Sequence, residues 1–292
     1  MTSTEAVVER VVPVVFVLLL VIVIWYLACI GLNASQVIER ALSSQPDWSA
    51  IDLVRLTWAM DRPVLPAPHQ VANDLVTSIF GWPVDSPHNL LFHAAVTSSA
   101  TLLGFAMGTV LGALLAVAIV HSRTLDRSVF PWVIASQTVP VLAIAPIVIV
   151  ILGNVGLEGL VPKAIIAMWL CFFPVAVALA KGLRSPGVLE LELLHTYAAS
   201  KRDLFWKLRL PASLPFLFPA LRVGIAAALV GAIVAELPTG AQSGLGARLL
   251  TGSYYGNTIQ IWSALIMAAL LGLLLTACVA GVERWLVPKG LR

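Results

Sequence analysis

The chain has 292 residues, of which 59% are hydrophobic and 11% are charged, whereas about 25% of residues are charged in soluble domains. So few charged side chains cannot cover a water-exposed surface, so the composition excludes a soluble globular protein and favours a membrane protein. The net charge of +3 is thinly spread. No basic run is interleaved with aromatic residues as a nucleic-acid groove requires, so we expect lipid, and not nucleic acid, around this chain.

Six apolar segments are long enough to cross the hydrocarbon core of a membrane, which takes about 20 residues of helix. They cover residues 11–32, 91–120, 129–152, 161–183, 213–236 and 259–282. The first segment is too long for the core of a signal peptide, and its acidic flank disagrees with a basic signal-peptide start. We therefore expect it to be retained, and we predict an all-α membrane protein with about six transmembrane helices.

Lysine and arginine are divided unevenly between the loops, which predicts the orientation of the chain in the membrane. They concentrate in residues 121–128, in 181–212 and in the tail after 282, whereas the stretch 33–90 holds more acids than bases. Basic loops stay on the cytoplasmic side. We therefore expect both termini and the loop 184–212 in the cytoplasm, and the stretch 33–90 outside.

Proline is frequent in the stretch 33–90, which rules out one continuous helix and favours one or two short helices joined by loops. This stretch separates the first span from the other five. We therefore divide the chain into an N-terminal part, residues 1–90, and a core of five transmembrane helices, residues 91–292.

No motif places catalysis on this chain. The sequence has no G-x-x-x-x-G-K-[ST] phosphate loop, no H-E-x-x-H and no G-x-S-x-G, and its three cysteines lie far apart in apolar segments. We expect no catalytic residue, no metal site and no cofactor bound by this chain, and no ATP hydrolysis by this chain alone. Two charged residues stand out in the spans: Arg222, which we expect to extend to the inner interface, and Glu236, which ends the fifth span.

The loop between the fourth and fifth spans is long, basic and amphipathic. Leu191, Leu194 and Ala198 recur on one helical face, and Glu192 and His195 lie on another. Basic residues follow near the expected end of this helix, where cations suit the helix dipole. Such a helix either lies on lipid headgroups as a connector or offers its polar side to a partner protein.

The same loop carries a spaced signature. Its positions are Glu192, Ala198, Leu208, Leu210 and Pro211. In this spacing the loop resembles the one in permease subunits of ATP-binding-cassette importers, with the pattern E-A-A, three residues, G, nine residues, I-x-L-P. Leucines replace the two alanines, and Ala198 replaces the glycine, where a positive φ would cost about 1 kcal/mol.

Further segments resemble permeases of the nitrate, taurine, alkanesulfonate and thiamine-precursor importers. Phe172, Phe173 and Pro174 match an F-F-P in the fourth span, although Ala178 replaces the asparagine common four residues later. Glu236 and the segment 244–246, Gly-Leu-Gly, match the end of span five and the residues after it. The resemblance covers residues 94–288, and the first 90 residues carry little of it.

This resemblance implies the type I importer architecture and a multi-pass protein of the bacterial inner membrane. It also implies the partners: a second permease, either another copy or a related chain, two cytoplasmic ATPase subunits that bind ATP and Mg²⁺, and an outer solute-binding protein. The loop would dock on the ATPase. The residues expected to couple the two are Glu192, His195, Ala198, Ser200, Lys201, Leu208, Leu210 and Pro211.

The solute would pass between the two permeases, along small and polar side chains of the spans. The best clusters are Ser136, Gln137 and Thr138 in the third span, and Ser98 and Ser99, near Thr97 and Thr101, in the second. The same side chains also suit hydrogen bonds between helices in lipid, so this assignment has a structural alternative.

The sequence leaves the solute open. Within the resembling group, solutes include nitrate, sulfonates and neutral heterocycles such as pyrimidine vitamin precursors and riboflavin. The uncharged path, with Tyr254, Tyr255 and Asn257 beyond span five, favours a neutral heterocycle. The alternatives in other classes are an ATP-independent secondary transporter or channel, against which the lack of an inverted repeat argues, and a membrane enzyme.

Overall fold

A computed structural model of the chain describes residues 3–42, 47–238 and 243–286, and all regular structure in these residues is helical. The α-helices are α1 (Ser3–Val37), α2 (Ala50–Trp58), α3 (Pro68–Phe80), α4 (Leu90–His121), α5 (Arg123–Ser128), α6 (Phe130–Ala135), α7 (Val141–Asn154), α8 (Leu160–Leu183), α9 (Val188–Thr196), α10 (Lys201–Asp203), α11 (Leu210–Glu236), α12 (Leu245–Tyr254) and α13 (Thr258–Leu286). The expected all-α fold is confirmed. The basic tail after residue 286 lies outside the described residues.

Three short helices of other types adjoin these elements in the described residues. The π-helical turn Ile38–Leu42 follows α1, and the π-helical turn Leu204–Arg209 leads from α10 into α11. A 3₁₀ turn, Ser136–Thr138, follows α6. Residues 201–236 therefore run as one helical segment of 36 residues.

The described residues contain five helices that are long and apolar enough to cross a membrane, and a sixth span if one bent pair is counted as one. The third span expected over 129–152 corresponds to this bent pair, in which residues 123–138 and 141–154 meet at 101°. The chain turns at Val139, which is extended with φ −79° and ψ 122°. Pro140 follows, and a proline excludes the residue before it from the helical region.

The chain forms two compact units, residues 1–90 with 248–266, and residues 91–247 with 267–292. In the first unit the end of α1 holds the proline-rich loop that joins α2 and α3. The fully buried Asn33 donates from Nδ2 to the carbonyl of Leu65 at 2.8 Å and accepts from the N–H of Val64 at 2.7 Å. Trp25 donates to the carbonyl of Pro66 at 3.0 Å. The two short helices expected from the prolines are confirmed.

The second unit is built on close contacts among α4, α8 and α11. Gly104, Gly108 and Gly112 recur at intervals of four along α4 and face α8, so that a Cβ at Gly104 would lie 2.4 Å from the Cβ of Ala167. Small residues at this spacing let helix backbones approach closely in lipid, where dispersion and not hydrophobic burial drives helix association. Cys171 lies in the same core and is fully buried.

Candidate coupling segment and translocation path

The helix α9 begins at a backbone cap. Gly187 precedes its first turn, and the carboxylate of Glu190 accepts a hydrogen bond from the Gly187 N–H at 3.1 Å. Glu190 is therefore the acid that stabilises the helix start, through this bond and the helix dipole. Glu192, which the sequence placed on the polar face of this helix, lies in the second turn and is exposed together with His195.

The end of α9 is a tight turn closed by two backbone hydrogen bonds. The N–H of Ala198 donates to the carbonyl of His195 at 2.9 Å, and the N–H of Ala199 donates to that of Leu194 at 3.0 Å. This pair of bonds is the Schellman pattern, which needs a left-handed residue where Ala198 stands. Ala198 has φ +50° and is the only non-glycine residue of the described chain with a positive φ.

This turn corrects the expected helical face. Leu191 and Leu194 are half-buried, as predicted, but Ala198 lies beyond the helix and is exposed. Lys201 and Arg202 do not close α9 either, because they form the first turn of the next helical segment. The left-handed backbone at Ala198 ends α9, so neither Ala198 nor the pair Lys201 and Arg202 belongs to that helix.

Ser200 starts the helical segment that leads into the membrane. Its Oγ accepts from the N–H of Asp203 at 3.1 Å and donates to the Asp203 carboxylate at 2.5 Å. Lys207 contacts the same carboxylate at 2.7 Å. Farther on, Leu208, Leu210 and Pro211 are half-buried in the continuous helical segment 201–236.

Large apolar side chains are exposed on α9 and on the turn after it. Leu189, Leu193 and Tyr197 recur at intervals of four, with exposed fractions of 82%, 58% and 76%, and Val188 is exposed beside them. Spacing of four places side chains in one row on a helix. We call Val188, Leu189, Leu193 and Tyr197 the apolar row; a contiguous exposed row of this kind marks an interaction surface.

The expected path residues divide between two places. Ser136, Gln137 and Thr138 form the 3₁₀ turn at the bend of the third span. The hydroxyls of Ser136 and Thr138 donate to carbonyls three residues back in the chain at 2.7 Å. The side chain of Gln137 is exposed and makes no hydrogen bond to another described residue. In α4, the hydroxyls of Ser98 and Ser99 likewise donate to carbonyls three or four residues back, at 2.7 Å.

A buried polar cluster includes Thr97, the residue that precedes Ser98 in α4. Thr97 donates to the carboxylate of Glu236 at 3.0 Å, and the Nζ of Lys163 lies 3.4 Å from the same carboxylate. Glu236 is fully buried and Lys163 nearly so. We call Thr97, Lys163 and Glu236 the carboxylate cluster; it joins α4, α8 and α11.

The carboxylate cluster also holds the start of α12. Glu236 accepts from the N–H of Gly246 at 2.8 Å, Thr97 accepts from the N–H of Leu245 at 2.8 Å, and His93 accepts from the N–H of Gly244 at 3.0 Å. These are the N–H groups that a helix start leaves unpaired. A Cβ at Gly244 would lie 2.2 Å from the Glu236 carboxyl carbon, and Gly244 has φ +120°. The Gly-Leu-Gly segment is thus explained by its contact with Glu236.

Sequence reasoning missed two partners of charged residues. Lys163 is a lone lysine three residues inside an apolar span, and that isolation was the available signal. Arg222, which was expected to extend to the inner interface, pairs with Glu283 of α13. Glu283 near the end of the last span and Arg222 in the fifth span are both evident in the sequence. No spacing rule predicts a contact between residues 61 positions apart.

Comparison with known proteins extends the similarity over most of the chain. Residues 108–291 match the family described as binding-protein-dependent transport system inner membrane component. The chain is 33% identical over 208 residues to the formylaminopyrimidine transport permease protein of Halalkalibacterium halodurans, covering 70% of this chain and 80% of that protein.

Two further relatives carry other solute names. The riboflavin transport system permease protein of Chloroflexus aurantiacus is 32% identical over 224 residues, which cover 77% of this chain and 80% of that protein. The nitrate import permease protein of Leptolyngbya laminosa is 24% identical over 281 residues, which cover 96% of this chain and 89% of that protein. The residues that the family model matches, 108–291, include α8, the loop 184–212, Lys163 and Glu236.

Proposed function

Since the chain belongs to the family of binding-protein-dependent transport system inner membrane components, we propose that its loop 184–212 is the surface on which a separate ATPase subunit docks. The resemblance expected from the sequence is confirmed, and the chain is the permease of an ATP-binding-cassette importer, a multi-pass protein of the bacterial inner membrane. The family is not catalytic. This membership sets aside the alternatives of an ATP-independent transporter and a membrane enzyme.

The apolar row on α9 carries this proposal. Its side chains are large and exposed, and the alternative, a connector lying on headgroups, accounts less well for a row that continues into the turn at Tyr197. A protein cleft that covers the row would remove this apolar area from water. Glu192 and His195 lie on the exposed helix as polar neighbours of the row, where they would contact the rim of such a cleft.

The connection to the membrane supports a mechanical role. After the turn at Ala198, Ser200 caps a helical segment that runs from residue 201 to residue 236 and crosses the membrane. A movement imposed on α9 would therefore reach the fifth span through one short turn. ATP can shift the permease between two states only if the ATPase contacts the two states differently, and this segment supplies such a contact.

The remaining parts of the importer follow from this assignment. The loop 184–212 and both termini face the cytoplasm, and ATP and Mg²⁺ bind to two ATPase subunits and not to this chain. A solute-binding protein delivers the solute on the outer side. A second permease, either another copy or a related chain, completes the path.

We place the path at the bend of the third span. Gln137 is exposed there, and no ionisable side chain occurs between residues 129 and 157. A path lined this way offers hydrogen bonds without charge, which suits a neutral solute better than an anion. The names of the relatives at 33% and 32% identity refer to formylaminopyrimidine and riboflavin, so we propose a neutral nitrogen heterocycle as the solute.

Photo-cross-linking tests the docking surface. Benzoylphenylalanine is introduced at Tyr197, and at the similarly exposed Phe80 of α3 as the control, in cells that also produce the ATPase of this transport system. We expect an adduct with the ATPase at position 197 and none at 80. An adduct with lipid alone at position 197 would overturn the docking assignment and favour the headgroup connector.

A further inference from the structure

A cavity of about 440 Å³ lies in the first unit, where α1 passes into the π-helical turn. Two cations, Arg40 and Arg62, and two acceptors, Asp61 and Gln36, line it. The rest of its wall is apolar, with Val37 and Leu56 among the lining residues. The cavity therefore combines both signs of charge with an apolar wall.

The polar groups of this cavity have few partners. The side chains of Arg40, Asp61 and Arg62 make no hydrogen bond or ion pair with another residue of the described chain. The Oε1 atom of Gln36 is buried and accepts no hydrogen bond there. A buried acceptor without a donor is unfavourable, so this atom indicates a donor that the described residues do not supply.

The position of the cavity along α1 indicates where that donor comes from. Every side chain from residue 11 to residue 24 is exposed and apolar or small, as suits a helix surrounded by lipid. Hydrocarbon about 30 Å thick takes about 20 helical residues, so a run that starts at Val11 leaves it near residue 31. Gln36 and Arg40 lie beyond that point, at the level of the headgroups.

We propose that this cavity binds the headgroup of a phospholipid that carries a primary ammonium, as in phosphatidylethanolamine. Arg40 and Arg62 bind the phosphate, because guanidinium groups match phosphate oxygens with paired hydrogen bonds. The ammonium donates to the carboxylate of Asp61 and to Oε1 of Gln36. Val37 and Leu56 contact the apolar part of the lipid next to the headgroup.

This assignment distinguishes three common headgroups. Phosphatidylglycerol offers the phosphate but no ammonium, so Asp61 would oppose its negative charge. Phosphatidylcholine offers a quaternary ammonium that has no N–H to donate to Gln36. Phosphatidylethanolamine alone of the three offers a cation with N–H donors, so it alone both neutralises Asp61 and donates a hydrogen bond to Oε1 of Gln36.

Native mass spectrometry of the full chain in detergent tests the proposal, with the three lipids added at equal concentration. We expect phosphatidylethanolamine to be retained in preference to the other two. Arg40→Gln with Arg62→Gln should lower its retention about tenfold, as the loss of two charge-assisted hydrogen bonds implies. Arg55→Gln, at an exposed arginine of α2 outside the cavity, should leave retention unchanged.

A second variant keeps the test decisive if the double variant folds poorly. Asp61→Asn removes the charge that recognises the ammonium, so phosphatidylglycerol should then be retained as well as phosphatidylethanolamine. Equal retention of all three lipids by the native chain would overturn the proposal. So would unchanged lipid retention in the arginine variants together with a loss of solute-binding-protein capture, which would make the cavity a protein-docking surface.

Discussion

Ala198 stands where the backbone turns from α9 towards the membrane, and it does so at φ +50°. A left-handed backbone costs a residue with a Cβ about 1–2 kcal/mol, whereas glycine adopts it freely. The importer permeases that this loop resembles carry glycine at this position. The left-handed turn therefore lowers the stability of this chain. The two backbone hydrogen bonds that close the turn offset part of this loss.

Ala198→Gly should stabilise the protein by about 0.5–1 kcal/mol. The substitution relieves the left-handed strain, and the extra freedom of glycine in the unfolded chain cancels about 0.4–1 kcal/mol of that gain. Thermal unfolding in detergent measures the effect. The matched control is Ala199→Gly, because Ala199 has no positive φ and should lose about 0.4–1 kcal/mol. Equal destabilisation by both variants would contradict the strained turn.

The carboxylate cluster predicts a strongly non-additive pair of variants. Lys163→Met leaves the fully buried Glu236 without its cation, and removing one partner of a buried pair costs about 3–5 kcal/mol. Lys163→Met combined with Glu236→Gln should recover most of that loss, because a glutamine still accepts from the Gly246 N–H. Thermal stability and yield are compared for Lys163→Met, for Glu236→Gln and for the double variant. A Lys163→Met protein as stable as the native one would show that the pair does not hold the cluster.

Residue-level contacts were only partly predictable. The Glu236 and Gly-Leu-Gly positions were singled out from the sequence by resemblance, and the structure supplies the reason, since the carboxylate contacts both glycines. The partner Lys163 was not predicted, because the pairing depends on how α8 packs against α11. Packing of two spans is decided by tertiary contacts and not by the local composition of either.

Among the elements, the third span carries the proposed path because it is bent. The bend exposes Gln137 in a segment without ionisable groups. Irregular backbone at membrane depth is tolerated where it is covered by protein or lines a water-filled cavity. The position of the bend therefore favours an interface between permeases over a lipid-facing surface.

A cysteine at Gln137 should cross-link to the second permease. The three native cysteines are first replaced, and Leu18→Cys in the exposed part of α1 serves as the lipid-facing control. A cysteine is also placed at the matching position of the second permease if that is a related chain. With a short bifunctional reagent we expect a cross-linked permease pair at position 137 and little at position 18, because the proposed path lies at the bend. Cross-linking at 18 but not at 137 would remove the bend from the path.

The boundaries of the long membrane-spanning helices were predictable from the apolar composition of the sequence. Long apolar runs predicted α4, α8 and α13 within a few residues, because a span must stay apolar over its whole length. The bend of the third span was missed, since averaged hydropathy does not register one extended residue before Pro140. The end of α9 was misplaced because Ala198 reads as a helix former, whereas the local hydrogen bonds require it to end the helix.

At the scale of the whole molecule, the chain is a membrane-spanning permease whose proposed contact with the ATPase lies on α9 and whose proposed path lies at the bent third span. Both sites belong to the second unit, residues 91–247 with 267–292. The first unit contributes α1, whose exposed apolar surface suits lipid, and the headgroup cavity. The central claim is therefore that ATP-driven transport depends on the loop 184–212.

Ala198→Asp tests that claim most directly, through the amount of ATPase copurified per permease and through solute uptake. Ala198 is exposed in the turn beside the apolar row, and aspartate tolerates a left-handed backbone, so the variant should fold and reach the membrane. An unpaired carboxylate buried in the docked complex is costly. We expect copurified ATPase to fall at least about tenfold and uptake to be lost, while Ala198→Gly retains both. Normal ATPase association and normal uptake in the Ala198→Asp protein would contradict the account.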